Sequence, residues 1–126
     1  MSDKYAEIIE AARAVREKAY APYSKFKVGA AILCRDGSIY TGVNVENASY
    51  PAGICAERAA IAAAIADGKT KFTAIAVFAE NGVTPCGICR QVLSEFGDMW
   101  VICAGPDLQP RSTTLSKLLP DAFKLK

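Results

Sequence analysis

Three cysteines stand at the predicted starts of two helices, and this arrangement constrains the fold more than any other feature of the sequence. One helix is predicted over about residues 55–66, and a second over residues 86–96 with Cys89 in its first turn. The start of a helix is the positive end of its dipole, which favours the thiolate that binds metal. Cys86 and Cys89 share a helical face. Cys55 can join them if both helices begin at the same edge of a sheet.

The remainder of the chain is predicted to alternate between helices and strands. A first helix is predicted from a cap at Ser2 to a stop at Pro22, and Asp36-Gly37 is a typical hairpin turn. A short last helix is predicted over residues 115–119, with Thr114 as its cap. The pattern predicts one domain, residues 1–126, that forms an α/β sandwich with a mixed sheet of about five strands. The predicted strands cover residues 26–34, 39–43, 73–79, 99–104 and 111–113, the last two antiparallel.

Composition and charge exclude several classes of function. The chain is 52% hydrophobic and carries a formal charge of +2 without a basic stripe, so nucleic acid is not an expected partner. No apolar run reaches the roughly 18 residues of a membrane-spanning helix. Acidic residues in the first ten positions argue against a signal peptide. We therefore expect a cytoplasmic protein without a disulfide framework, although it has five cysteines.

The types of ligand in the sequence favour a catalytic zinc site. A structural zinc takes four protein ligands, whereas a catalytic zinc keeps one position for water, and three thiolates suit the second arrangement. Glu57 follows Cys55 by two residues and places a carboxylate next to them. The chain has no histidine, so a general base must be Glu, Asp, Lys or Tyr. Cys34 and Cys103 lie in apolar runs and are predicted to be core residues.

Two other interpretations of the cysteines remain open at this point. A C-x-x-C pair at a helix start after a strand is also typical of a thioredoxin-like redox site, which would form a Cys86–Cys89 disulfide. A structural zinc site would need Cys34 or Cys103 to leave the core and become the fourth ligand.

Two further segments bear on ligands and assembly. Asn44 and Glu46 follow a predicted strand and point to the same side if the chain stays extended. Two interpretations are open: the two side chains hydrogen-bond a hydroxylated ligand, or they are the solvent-exposed end of a strand and have no ligand. The helix over residues 55–66 is apolar all round, and so small a domain cannot easily surround it. We therefore predict that the chain forms an oligomer.

The cysteine segments resemble those of the zinc-dependent cytidine deaminases, in their homotetrameric, three-cysteine branch. The resemblance covers essentially the whole chain. It implies a three-layer sandwich, with a five-stranded sheet in the order 2-1-3-4-5 and helices on both faces. The matching segments are Cys55-Ala56-Glu57, Pro85-Cys86-Gly87-Ile88-Cys89, Tyr23-Ser24-Lys25-Phe26-Lys27-Val28-Gly29-Ala30-Ala31, Asn44-Val45-Glu46-Asn47-Ala48, Arg90-Gln91-Val92 and Leu118-Leu119-Pro120 through Phe123.

The resemblance assigns chemical roles to the cysteine segments. It implies that Cys55, Cys86 and Cys89 hold one Zn²⁺ per subunit, with water in the fourth position. Glu57 would be the catalytic proton shuttle in the deamination of free cytidine and 2′-deoxycytidine. Arg58 would hydrogen-bond a zinc-binding sulfur, which places it in a supporting position.

The resemblance also implies a substrate site that several subunits share. Phe26 would pack against the pyrimidine, and Asn44 and Glu46 would bind the ribose. The backbone of Ala56 and Thr84 would contact the base, and the residues expected to reach into a neighbouring subunit's site are Ala48, Tyr50 and Phe123.

Two alternative functions are considered. One is a deaminase of a related analogue such as blasticidin S, and the other is a non-enzymatic zinc-stabilised oligomerisation module.

Overall fold

A computed structural model describes residues 3–125, and these residues fold around one mixed five-stranded sheet. The strand order is β2-β1-β3-β4-β5, in which β3 and β4 are parallel and the other neighbours are antiparallel. The strands are β1 (Gly29–Cys34), β2 (Ile39–Val43), β3 (Phe72–Phe78), β4 (Trp100–Ala104) and β5 (Arg111–Thr114), and the helices are α1 (Asp3–Val15), α2 (Ala56–Ala66), α3 (Gly87–Ser94) and α4 (Leu115–Leu118).

The sheet separates two apolar cores, because alternate residues of each strand face opposite sides. In β1, Ala31 and Leu33 pack with Ile8 and Ala12 of α1 on one side. Ala30 and Ile32 pack on the other side, where α2, α3 and α4 contribute residues such as Ile61, Leu93 and Leu115. The predicted three-layer sandwich and its strand order are therefore confirmed.

Several element boundaries differ from the predictions, with local causes. The first helix ends at Val15 rather than at Pro22, because residues 16–18 tighten into a 3₁₀ turn and Ala19 is extended. The first strand begins at Gly29 rather than at residue 26, because the Asn44 side chain hydrogen-bonds the backbone of Phe26 and Val28. The third helix ends at Ser94, two residues early, where hydrogen bonds between residues three apart tighten its last turn. Thr114 precedes α4 but makes no side-chain capping bond, and Asp98 binds the backbone N–H of Ser116 instead.

Four further predictions concern the first helix cap, two cysteines, membrane spans and the apolar helix α2. The cap at Ser2 lies outside the described residues. Cys34 and Cys103 are buried in the core, as predicted. Within residues 3–125 there is no helix with the length and apolar character that crossing a bilayer requires. One face of α2 packs on the sheet, whereas this chain leaves Ala62, Ala63 and Ile65 of its other face exposed.

Candidate metal and active site

The starts of α2 and α3 lie at the same edge of the sheet because of the chain topology. Each helix leads to the beginning of the next strand, α2 to β3 and α3 to β4, and these two strands are parallel neighbours. Both helices therefore begin beside the carboxyl end of β3. Cys55 precedes α2 and Cys86 precedes α3, with Cys89 in the first turn of α3.

The three sulfur atoms form a cluster whose spacing fits one zinc ion. Cys55 Sγ lies 3.9 Å from Cys86 Sγ, which lies 3.6 Å from Cys89 Sγ. Tetrahedral zinc with Zn–S distances of about 2.3 Å separates its sulfur ligands by about 3.8 Å, so both distances agree with shared coordination. A disulfide requires about 2.05 Å. The Cys86–Cys89 disulfide of the redox interpretation is therefore not formed.

The cluster offers three protein ligands and no fourth. Within the described part of the chain, it is the one group of three or more Cys, Asp or Glu side chains whose ligand atoms lie within 4.8 Å of one another. Cys34 and Cys103 remain in the core and do not join it. This donor set fits an open zinc site better than a closed structural one.

The electrostatics of the cluster favour thiolate at Cys55. Hydrogen bonding from the Cys89 thiol and from Arg58 lowers the pKa of Cys55 to about 5, against the opposing effect of burial. The negative sulfur and burial in turn raise the pKa of Cys89. Arg58 Nη2 lies 3.8 Å from Cys55 Sγ, and this contact raises the pKa of Arg58. A guanidinium at this distance can stabilise negative charge on the sulfur, and its supporting role at a metal ligand stays a prediction.

Glu57 is a buried carboxyl group directly beside the sulfur cluster. It is 5% exposed, because the first turn of α2 directs it inward. Burial raises its pKa to about 7, and the nearby Cys55 charge contributes in the same direction. A carboxyl group in such a position can hold and release a proton near neutral pH, which is the property that a general acid–base group needs.

Asn44 and Glu46 both face the loop that carries Phe26. Asn44 Oδ1 accepts from Val28 N and its Nδ2 donates to Phe26 O, each at 2.8 Å. Glu46 accepts hydrogen bonds from the backbone N–H of Tyr23 and Ser24 and from the Ser24 hydroxyl. These bonds lower the pKa of Glu46, the hydroxyl contributing most. Both side chains keep unused donor or acceptor capacity for a ligand.

Backbone pairing ties this polar segment to the metal site. Val45 and Ile54 exchange two hydrogen bonds, of 2.9 and 3.0 Å, so the segment lies next to the residue that precedes Cys55. Ala56 is fully buried, whereas Phe26 and Thr84 are half-buried. The proposed contacts of these residues with substrate stay predictions.

The residues predicted to serve a neighbouring subunit lie on the surface of this chain. Tyr50 is 92% exposed and Phe123 is 68% exposed, and Ala48 is also exposed. Sequence reasoning assigned no function to Ser24 or to Arg90, whose guanidinium binds Thr84 and Pro85. No local signal identifies the partner of Ser24, since Ser24 and Glu46 are 22 residues apart.

Comparisons with known proteins agree with this site. The cytidine and deoxycytidylate deaminase zinc-binding region matches residues 2–104. A cytidine deaminase of Sporosarcina psychrophila is 49% identical over 121 residues, which cover 93% of this chain and 89% of the relative. A probable cytidine deaminase of Dictyostelium discoideum is 46% identical over 118 residues, or 91% of this chain and 80% of the relative.

Solved structures show the same likeness. The crystal structure of cytidine deaminase from Burkholderia pseudomallei has a TM-score of 0.91 at 49% identity, and the match covers 98% of this chain and 100% of that one. The cytidine deaminase structure from Mycobacterium tuberculosis has a TM-score of 0.79 at 38% identity, with 99% of this chain and 100% of that one covered. The resemblance drawn from the cysteine segments is confirmed, and the chain belongs to the zinc-binding cytidine and deoxycytidylate deaminase family.

Proposed function

We propose that the protein catalyses the hydrolytic deamination of free cytidine and 2′-deoxycytidine to uridine and 2′-deoxyuridine, with release of ammonia, in pyrimidine salvage. The observation that carries this proposal is the sulfur cluster at zinc-binding distances beside a buried carboxyl group. Family membership and relatives named cytidine deaminase support the substrate class.

The chemistry needs an activated water and a proton carrier. Zn²⁺ held by Cys55, Cys86 and Cys89 supplies, when bound, a Lewis acid that activates water at neutral pH. Glu57 accepts a proton from the attacking water, delivers it to ring N3 and later helps to protonate the leaving amine. The water oxygen bonds to C4, the bond between C4 and the amino nitrogen breaks, and ammonia leaves. Arg58 stabilises the negative charge of the Cys55 sulfur throughout.

The substrate is proposed to bind between the metal site and the Phe26 loop. Phe26 packs against the pyrimidine, and the unused hydrogen-bond donors and acceptors of Asn44 and Glu46 bind the ribose hydroxyls. The backbone of Ala56 and Thr84 contacts the base. Support comes from the bonds between Val45 and Ile54, which hold this polar segment beside the start of α2.

We also propose that the protein is a homotetramer with composite active sites. The exposed apolar face of α2 and the exposed Tyr50 and Phe123 support an assembly in which Ala48, Tyr50 and Phe123 reach a neighbouring site. Native mass spectrometry tests the assembly, and a monomer that turns over cytidine would contradict it. We place the reaction in the cytoplasm, because thiolate ligands stay reduced there.

A spectrophotometric assay tests the activity. Wild-type protein should change the ultraviolet absorbance of cytidine, and Glu57→Gln should lower turnover by at least about 100-fold while zinc content is retained. Glu17→Gln, which alters an exposed acid, is the matched control and should behave as wild type. If wild type turned over blasticidin S and not cytidine, the protein would be an analogue deaminase. Zinc binding without turnover of either compound would indicate an oligomerisation module.

A further inference from the structure

Arg90 makes three hydrogen bonds to groups that are all neutral. Its Nε donates to Pro85 O at 2.7 Å, Nη1 to Leu118 O at 2.9 Å and Nη2 to Thr84 Oγ1 at 3.0 Å. The side chain is half-buried, and none of the ion pairs in the described part of the chain includes it. Placing a cation among neutral acceptors forgoes the charge pairing that a carboxylate would give. The geometry of its donors, rather than its charge, therefore explains why an arginine suits this position.

The three acceptors belong to two segments that are far apart in the sequence. Thr84 and Pro85 lie directly before Cys86, and Leu118 is the last residue of α4. The next residue along α3, Gln91, adds a hydrogen bond from Nε2 to Phe123 O at 3.1 Å. Arg90 and Gln91 are consecutive residues of α3, the helix that carries Cys89. Together they hydrogen-bond the segment that precedes Cys86 and the chain at and beyond the end of α4.

A guanidinium can serve this arrangement and an ammonium cannot. Its donors are held in a rigid planar fork, so one side chain can satisfy three acceptors in fixed directions. Lysine keeps the charge and has three rotatable donors on one nitrogen, which do not reach acceptors spread around a plane. Pro85 is fully buried, so packing also restrains the segment that Arg90 holds.

We propose that Arg90 is a positioning residue, which holds Thr84 and Pro85 in place against α4 so that the backbone of Thr84 meets the substrate base in one fixed position. This inference rests on the proposed function, in which Thr84 contacts the base. Arg90 acts through the Thr84 hydroxyl and the Pro85 carbonyl, and it does not itself touch the reacting atoms.

A double-mutant cycle tests this role with Arg90→Lys, Thr84→Val and the combined variant. Arg90→Lys should raise KM for cytidine about tenfold, which is the effect of losing one charge-assisted hydrogen bond, with kcat and zinc content nearly unchanged. Thr84→Val should raise KM in the same direction. The combined variant should be no worse than Arg90→Lys alone, because both changes break the same contact. Arg111→Lys, at an exposed arginine of β5, is the matched control and should leave KM unchanged.

Several results would overturn the proposal. Additive effects in the combined variant would show that Arg90 and Thr84 act separately, and equal KM values for Arg90→Lys and Arg111→Lys would show no positioning. If Arg90→Lys did not fold, an unchanged KM for cytidine in Thr84→Val would contradict the proposed positioning role of Arg90. Hydrogen exchange over residues 83–88 gives a readout without substrate, since it should rise in Arg90→Lys and not in Arg111→Lys. A wild type without cytidine turnover but with this exchange difference would contradict the proposed function and leave the positioning intact.

Discussion

Arg58 Nη2 and Cys55 Sγ lie 3.8 Å apart across the first turn of α2, three positions apart in the chain. Three thiolates around Zn²⁺ give a net charge of about −1, which weakens the ion as a Lewis acid. The guanidinium and the positive ends of the two helix dipoles are placed where they would draw charge from the sulfurs. Arg58 Nε is buried without a hydrogen-bond partner among the described residues, whereas Nη2 of the same guanidinium contacts the Cys55 sulfur.

The first prediction concerns this charge balance. Arg58→Ala should lower kcat by about 10- to 100-fold or weaken zinc retention to a similar extent, because a sulfur without its partner donates more charge to the metal. The fold should persist, since Arg58 lies at the edge of the core and not within it. Kinetics with cytidine, zinc analysis and thermal unfolding measure the three quantities.

Arg13→Ala is a suitable control for Arg58→Ala. Arg13 also lies on a helix, but its partner is the exposed Glu10 and no metal ligand is involved. Exposed ion pairs of this kind contribute little to stability, so kcat and zinc content should stay at wild-type values. Unchanged kcat and zinc content in Arg58→Ala would remove the proposed role of the arginine.

The second prediction concerns Ser24, whose hydroxyl links two proposed substrate-binding residues. It accepts a hydrogen bond from Phe26 N at 3.0 Å and donates one to the Glu46 carboxylate. Ser24→Ala should therefore raise KM for cytidine about tenfold, because the loop and the carboxylate lose their common anchor. The matched control Ser112→Ala removes an exposed hydroxyl of β5 and should leave KM unchanged. Equal KM values for the two variants would refute the link.

The same variant has a pH signature whose sign follows from the hydrogen bond. The Ser24 hydroxyl is the largest cause that lowers the pKa of Glu46 in the folded protein, so Glu46 stays ionised to lower pH. Without the hydroxyl, Glu46 takes up its proton at higher pH as the solution is acidified. Glu57 sets the first acid limb of the kcat/KM profile for cytidine near pH 7, and protonation of Glu46 adds a second fall at lower pH. In Ser24→Ala this second fall should lie at higher pH than in wild type. A second fall that stays in place would show that Glu46 ionisation does not govern substrate binding.

Local patterns predicted the hairpin and the helix starts well. Asp36-Gly37 marks a turn in which Gly37 adopts a positive φ of 92° and Gly37 N binds Cys34 O. The chain between Cys55 and Cys86 determines through its topology that both helices begin at one sheet edge. Spacing therefore indicated the pair Cys86 and Cys89, and the approach of Cys55 depended on this shared edge.

Long-range side-chain bonds explain what the sequence did not reveal. The first strand begins late because Asn44 binds backbone groups of residues 16 and 18 positions away. The cap of α4 comes from Asp98, which lies 18 residues before Ser116. The partners of Arg90 include Leu118, 28 residues away. Periodicity and turn preferences carry no information about such pairs, because the pairs exist only after the sheet brings the segments together.

The third prediction concerns Gly42, where β2 packs closely against the backbone of α2. A Cβ atom at this position would lie 2.3 Å from Ala60 N and 2.6 Å from Ala56 O, too close for any side chain. Gly42→Ala should destabilise the protein by about 1–3 kcal/mol and lower activity, because α2 must move together with Glu57. Thr41→Val at the exposed neighbouring position should do neither. Denaturant unfolding measures the stability of both variants, and the cytidine assay measures their activity. A fully active and stable Gly42→Ala would show that α2 can shift without cost.

The last prediction concerns Asp98, which replaces the expected cap at Thr114. Its Oδ1 accepts from Ser116 N at 2.9 Å and its Oδ2 accepts from Ser116 Oγ at 2.9 Å. Asp98 is exposed, and the desolvation that it does undergo opposes ionisation, but the hydrogen bonds from Ser116, Met99 and Leu115 outweigh this effect and lower the pKa of Asp98. A lowered folded-state pKa stabilises the protein above the unfolded pKa of about 3.9, and this stability is lost as pH falls further. Asp98→Asn should therefore reduce the free energy of unfolding at pH 7 and reduce it by progressively less below pH of about 4, whereas the control Asp107→Asn should change it little at either pH. Thermal unfolding across this range measures the difference, and a loss that grew toward acid pH would contradict the capping role.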